Sequence, residues 1–257
     1  MVDNFPRVTI NWVLDNHDNP RISTRYNPES VDSYNIFTLL LPGVASVYFG
    51  SELGMEDSKV RSDQGRDPNN AAASDPNLSR DGPRGPMIWD DTRNAGFTTA
   101  KKPWLPVNPN YYRKNAKIQQ ENPNSHLNVF KRIVKLRKTP VIQHGDFQTF
   151  VHKDWVYLFT RSHNSETIAV VMNLGSETED VCPKTSATKL PDTMFVHTSS
   201  IHSGLKIGSK VKTLSADETN CVQLRPFATV ALSTSNAVLT SFSVVTLLLT
   251  MCTVIFL

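Results

Sequence analysis

Cysteine is scarce: the chain holds three in 257 residues, too few for a disulfide-framed miniprotein. Charge of one sign is scarce too. Lysine and arginine total 27 against 24 aspartates and glutamates, a net of +3, so no electrostatic footprint for nucleic acid is present. Glycine, at 11, is outnumbered by proline, at 16, which suggests long ordered loops joining the regular elements. Met1–Pro6 (MVDNFP) lacks the basic start and apolar core of a secretory signal. At the other end charge is missing altogether: Arg225 is the last charged residue, and none of the final 32 positions carries one.

What is present argues for a packed protein. Hydrophobic residues make up 39% and charged residues 20%, enough to build and wet a core, which excludes a disordered chain. Arg7–Leu14 (RVTINWVL) is β-branched and apolar and reads as a buried strand. Asn27 and Pro28 then supply an N-cap and a proline at the first helical position. Val31, Tyr34, Phe37 and Leu41 share one face of that helix, and Pro42 with Gly43 stops it. Val44–Phe49 (VASVYF) reads as a second short strand. Strand, helix and strand in this order form the βαβ unit of a parallel sheet.

From Ser51 to Asn122 the chain is polar and rich in Pro, Asn, Asp and Gly, a length of loop that is uncommon unless functional. A helix is predicted over Ser125–Lys138, with Leu127, Phe130, Val134 and the stem of Arg137 along one stripe. Its lysines and arginines suit the negative C-terminal end of a helix. Beyond Thr139 and Pro140 the texture changes. Phe147–Val151, Asp154–Arg161, Thr167–Asn173, Met194–Thr198 and Cys221–Leu232 are short, partly alternating runs separated by turn residues. They predict a small antiparallel β domain.

Two clusters carry candidate chemistry. Asn16, His17 and Asp18 sit where the first strand ends, followed by Arg21, and catalytic groups of parallel α/β barrels lie at such ends. A histidine beside an aspartate can grip neighbouring hydroxyls of a polyol, one donating and one accepting. The second cluster runs SRDGPRGPMIWDD over Ser79–Asp91, then NAGF over Asn94–Phe97. Together with NHDNPR at Asn16–Arg21, YFGSELGM at Tyr48–Met55 and WLPVNPNY at Trp104–Tyr111, it resembles the maltase and α-glucosidase branch of glycoside hydrolase family 13, of the insect type. PNSHL at Pro123–Leu127 and LRPF at Leu224–Phe227 fit as well. The resemblance extends over about Asn11–Leu232.

The resemblance implies an α/β fold: the C-terminal part of a (β/α)8 barrel over 1–138, then a small antiparallel β-sandwich domain over 139–232. Asn11–Leu14 would be the seventh barrel strand, Val44–Phe49 the eighth, and Ser125–Lys138 the closing helix. Asp18 resembles the carboxylate that grips sugar hydroxyls and supports an oxocarbenium-like transition state, and His17 resembles its partner. Arg84 looks like the arginine that reads the 4-hydroxyl of a terminal glucose, with Arg21 and Asn16 as further substrate-binding candidates. The expected activity is exo-acting, retaining hydrolysis of α-1,4-linked glucose from maltose, sucrose and short oligosaccharides, without a cofactor. Retention needs a nucleophilic carboxylate and an acid/base carboxyl about 5 Å apart. In this family both follow upstream strands that these residues do not match, so the chain by itself is expected to be inactive. Asp15, Gly85 and Ile88 depart from the family pattern, which bears on substrate preference. A different class is the non-catalytic heavy chain of amino-acid transporters, which shares the fold, and a truncated binding protein is a third reading. Heavy chains usually lose the Asn-His-Asp set that this chain keeps.

Three features lie outside the sugar site. A secreted context favours a disulfide between Cys182 and Cys221, whose loop closure is worth about 4 kcal/mol; two free thiols are the alternative. Asn77 opens a glycosylation sequon, NLS. Residues 233–257 read as a hydrophobic C-terminal anchor signal. Ser233 and Ser235 are small-residue attachment candidates, Asn236–Ser243 a spacer, and Val244–Leu257 an apolar end. A glycolipid anchor on the extracellular face of the plasma membrane is expected, in preference to a membrane span with basic flanks.

Overall fold

The computed structural model describes residues 10–68 and 79–236. Asn77, Cys252 and the 237–257 tail lie outside them. The chain divides into two units, Met1–Arg137 and Lys138–Leu257.

In the first unit β1 (Asn11–Val13) and β2 (Val44–Ser46) pair in parallel, with Asn11 opposite Val44 and Val13 opposite Ser46. The connection between them contains a short turn of helix, α1 (Ile22–Arg25), and the longer α2 (Val31–Leu40). The entry to α2 follows its sequence. Asn27 is extended, its side chain accepts the Ser30 amide at 2.8 Å, and Pro28 opens a 3-10 turn that leads into the helix. Pro42 and Gly43 end the element, and the Pro42 carbonyl accepts the Trp12 indole N–H at 2.7 Å.

The strands correct one expectation. Arg7–Leu14 was expected to be a buried strand, yet Val13 is 49% exposed, as is Val44 of the second strand at 51%. A parallel strand is buried by neighbours on its edges and faces, and the described residues supply this pair with no third strand.

Among the described residues the first unit also holds α3 (Ala116–Glu121) and α4 (His126–Arg137). The expected stripe on α4 is displaced by one residue. His126, Val129, Ile133 and Leu136 are the buried face, while Leu127, Phe130, Val134 and Arg137 are half-buried. The reason is polar. His126 Nδ1 lies 2.8 Å from the buried Asp32 carboxylate on α2, and that bond rotates the helix towards its partner. Arg137 reaches across to α2. Its guanidinium donates to the carbonyls of Leu39, of Leu41 (3.4 Å) and of Gly43 (2.6 Å), closing the C-terminal end of α2.

The second unit opens with a short helix, α5 (Pro140–Gln143). Its described residues form eight strands, β3 (Asp146–Lys153), β4 (Val156–His163), β5 (Glu166–Asn173), β6 (Glu179–Val181), β7 (Thr193–Ser199), β8 (Lys210–Lys212), β9 (Val222–Leu224) and β10 (Thr229–Ser233). Six form one antiparallel sheet in the order β3-β4-β5-β10-β7-β8, and β6 pairs with β9 separately. Leu158, Val171, Val196 and Leu232 of the large sheet share a core with Val181, Val222 and Leu224 of the small one. The run Cys221–Leu232 is therefore two strands in two sheets. Phe227, at φ 56°, turns the chain between them.

Cys182 and Cys221 form a disulfide, with Cα atoms 5.1 Å apart. It lies at the end of the β6–β9 pair, because Cys182 follows β6 and Cys221 precedes β9. Ser233 lies inside β10, paired with Ile168 and Phe195 and 1% exposed. Ser233 is the last residue of the strand, and Ser235 follows it. Among the described residues no helix is long and apolar enough to cross a membrane.

Candidate active site

Because β1 and β2 are parallel, their C-terminal ends release the chain on the same side of the sheet. After β1 the chain folds into a tight turn at Asn16–Asn19. The Asn16 side-chain oxygen accepts the amides of Asp18 (2.8 Å) and Asn19 (3.1 Å) and the Asn19 side-chain amide (3.0 Å). Asn16 thus builds the turn through its side-chain oxygen. The turn presents His17 and Asp18 outward, with side chains 61% and 47% exposed.

Three side chains converge on Asp18. His17 Nε2 lies 3.2 Å from its Oδ2. Arg84 Nη2 donates to Oδ1 at 3.0 Å while Arg84 Nε donates to the His17 carbonyl at 3.1 Å. One guanidinium fork therefore fixes both members of the pair. Arg80 Nη1 donates to the same Oδ1 at 3.1 Å. Its other nitrogens grip the fully buried Asp67 carboxylate at 3.0 and 2.9 Å. Hydrogen bonds from Asp67 first, and then from Asp18, raise the Arg80 pKa above the ordinary guanidinium value. Asp81 secures the same loop by accepting the amides of Arg66 (2.7 Å) and Asp67 (3.0 Å).

Arg80 was not singled out by sequence reasoning. The available signal was its spacing: two arginines, four residues apart in one glycine- and proline-rich loop, can reach a single carboxylate from two sides.

Arg21 is 1% exposed, which moves it from substrate contact to support. Its guanidinium donates to the carbonyls of Phe49 (2.5 Å) and Pro83 (2.8 Å), and its amide donates to Asp57 at 2.9 Å. It also lies over the Tyr48 and Phe49 rings, 4.9 and 4.7 Å from their centroids. One buried cation thus ties the turn after β1 to the exit of β2 and to the Arg84 loop. Burial lowers its pKa, and Tyr48, Asp15 and Asp57 push the other way. Burial raises the carboxyls of Asp57 and Glu52.

The departures from the family pattern have local explanations. Asp15 is buried and accepts the Ser51 hydroxyl at 2.8 Å. At Gly85 an added Cβ would stand 1.8 Å from Ser58 Oγ, so Ser58 occupies the room a side chain would need. Ile88 is a core residue, 1% exposed.

Chemically the arrangement is a carboxylate with open lone pairs beside an imidazole, both held still. Asp18 can accept further hydroxyl protons, and His17 can donate or accept according to its tautomer. Among the described residues no group of three or more His, Cys, Asp or Glu side chains could hold a metal ion.

The family described as "Alpha amylase, catalytic domain" matches residues 1–145. Maltase A1 of Drosophila melanogaster is 41% identical over 174 residues, covering 66% of this chain and 30% of that protein. Oligo-1,6-glucosidase of Parageobacillus thermoglucosidasius is 31% identical over 240 residues, 83% of this chain and 40% of that protein. A trehalulose synthase mutant in complex with Tris superposes with a TM-score of 0.66 at 27% identity, covering 87% of this chain and 43% of that one. The chain therefore spans less than half the length of each of these proteins.

Proposed function

Because the chain belongs to the alpha-amylase catalytic-domain family, glycoside hydrolase family 13, we propose that it supplies the glucose-gripping portion of an exo-acting, retaining α-glucosidase. The substrates are maltose, sucrose and short α-1,4-linked oligosaccharides, cut at the terminal glucose. One observation carries this reading: the exposed Asp18 carboxylate, flanked by His17 and fixed by Arg84 and Arg80, at the C-terminal end of a parallel strand.

Asp18 and His17 share adjacent hydroxyls of the bound glucose. As the glycosidic bond breaks, the ring gains positive charge, and a carboxylate already held in place stabilises that charge without reorganising. Arg84 keeps the pair in register and offers its remaining donor to a hydroxyl at the closed end of the site. No residue assigned here serves as the nucleophile or the acid/base carboxyl that retention needs, and we infer that this chain alone turns over no α-glucoside. We further propose a glycolipid anchor on the tail, which places the protein on the extracellular face of the membrane.

The test is a hybrid in which this chain is joined at the aligned position behind the upstream portion of Maltase A1. The hybrid should hydrolyse p-nitrophenyl α-glucoside, and the chain alone should not. An inactive but folded hybrid, or turnover by the chain alone, refutes the assignment. Release of the anchored protein from insect cells by phosphatidylinositol-specific phospholipase C tests the tail.

A further inference from the structure

The second unit contains a cavity of its own. One face of β3, β4 and β5 runs from apolar to polar, in register across the three strands. Phe150, Leu158 and Val171 stand side by side against the core. The next row is Gln148, Thr160 and Ala169, and beyond it Ser162 stands opposite Thr167. The turn Ala187–Leu190 borders these polar rows, closed by the Leu190 amide donating to the Ala187 carbonyl at 3.0 Å. Ala187 and Leu190 are buried in the core, which leaves Thr188 and Lys189 exposed at the corner of the turn. Sheet and turn together line a cavity of about 100 Å³.

Its polar groups are largely uncommitted. Thr160 is 6% exposed and lines the cavity, and its hydroxyl has no hydrogen-bond partner among the described residues. A buried hydroxyl without a partner carries a desolvation cost that a ligand atom at this point removes. The Gln148 amide, the Thr188 hydroxyl and the Lys189 ammonium also have no side-chain partner among the described residues. Ser162 and Thr167 share one bond, at 3.0 Å between their oxygens, which uses one of their two protons.

These groups define a ligand. Lys189 is the single charge on the lining and only donates, so a cation is disfavoured. Asp146 lies one pleat beyond Gln148 on β3, exposed and outside the lining. The unpaired donors disfavour an apolar ligand. The volume holds about three waters and falls below the ~300 Å³ at which sites for whole small molecules begin, so it fits one functional group. Donors come from the sheet on one wall and from the turn on the other. That arrangement suits a tetrahedral oxyanion, whereas a planar carboxylate is matched by the flat fork of an arginine.

We infer that this cavity binds a single phosphate or sulfate group, free or as an ester. Every lining residue belongs to the second unit, so the inference stands independently of the glucosidase reading. Isotope-labelled 257-residue chain, titrated with sodium phosphate and followed by amide resonances, tests it. Saturable shifts at Thr160, Thr188 and Lys189 are expected. Phenyl phosphate, whose ring must stay outside the cavity, distinguishes the sources. If it shifts the same amides the site takes an ester, and if inorganic phosphate alone does so the site takes the free ion; either result supports the inference. Lys189→Ala should weaken binding at least about tenfold and Lys189→Arg should retain most of it. Thr160→Val should weaken binding about three- to tenfold, and Thr160→Ser should retain it. Lys189 is exposed, so its replacement leaves the fold intact, which the dispersion of the spectrum reports. The same shifts with sodium chloride at matched ionic strength, or shifts confined to exposed lysines of α4 such as Lys131 and Lys135, mean an adventitious ion only and overturn the inference. Binding that Lys189→Ala leaves unchanged, or no response to either phosphate, overturns it as well.

Discussion

Asp18 is negative, half-exposed and gripped by two arginines, and this combination separates binding from catalysis. Asp18→Asn keeps the volume and a hydrogen-bonding oxygen, so a ground-state sugar loses little. The transition state loses the charge that faces the developing oxocarbenium ion. In the active hybrid the expected outcome is a fall in kcat of about 10²–10³ with KM nearly unchanged, read from initial rates. Arg84→Lys should instead raise KM, because lysine cannot span the His17 carbonyl and the Asp18 carboxylate with one planar fork. A kcat within about threefold of the parent for Asp18→Asn would make that residue a turn cap. Asp57 gives a pH prediction. Burial raises its pKa in the folded chain, against a lowering by its bond from the Arg21 amide and by the Arg21 charge. The folded state therefore holds the proton more tightly than the unfolded one, and stability from this group is lost as pH rises through the folded pKa. Asp57→Asn cannot ionise. Its melting temperature relative to the parent should improve as pH rises above the ordinary carboxylate value of about 4; a difference independent of pH would count against the assignment.

The elements around the site show where sequence reasoning reaches its limit. The Asn27 cap, the proline entry and the parallel pairing of the two strands were legible because each rests on local chemistry. The buried face of α4 was not. Its choice between two adjacent apolar stripes is made by the bond between His126 and Asp32, residues 94 positions apart. In the same way His17 and Asp18 were legible as a motif, while the roles of Arg21 and Arg80 depend on carbonyls and carboxylates far along the chain. The turn after β2 shows the same dependence in a form that can be measured. Gly50 sits at φ +87°, and a Cβ there would stand 2.5 Å from Met55 Sδ and 2.8 Å from Arg21 Nη1. Gly50→Ala should cost about 1–3 kcal/mol from the left-handed backbone alone, and more if Arg21 must move. Urea unfolding gives the number. A cost no greater than a few tenths of that would mean the turn relaxes without disturbing Arg21.

At the scale of the whole molecule the two units are stabilised by different means. The first relies on helices, buried polar bonds and a heavily cross-linked loop. The second relies on a large sheet and a three-residue pair, β6–β9, laid on its core. A two-stranded pair is marginal by itself, so its persistence needs a further restraint. Asp180 supplies part of it by accepting the amides of Asn220 (2.7 Å) and Cys221 (3.1 Å). The Cys182–Cys221 disulfide supplies the rest, closing a loop with a sequence separation of 39. Cross-linking a loop of that length removes unfolded-state freedom worth about 4 kcal/mol, and native disulfides of small domains are typically worth about 2–5 kcal/mol. Replacing both cysteines by alanine leaves no unpaired thiol to confuse the result. Hydrogen exchange on that variant should show protection falling by the corresponding factor at Val181, Val222 and Leu224. It should then fall across the large sheet, whose core contains those three side chains. Ile133 and Leu136 in α4 belong to the other unit and should keep their protection. If protection in α4 fell by the same factor as in β9, the two units would unfold as one, and the disulfide would be a restraint on the entire chain rather than on the β unit.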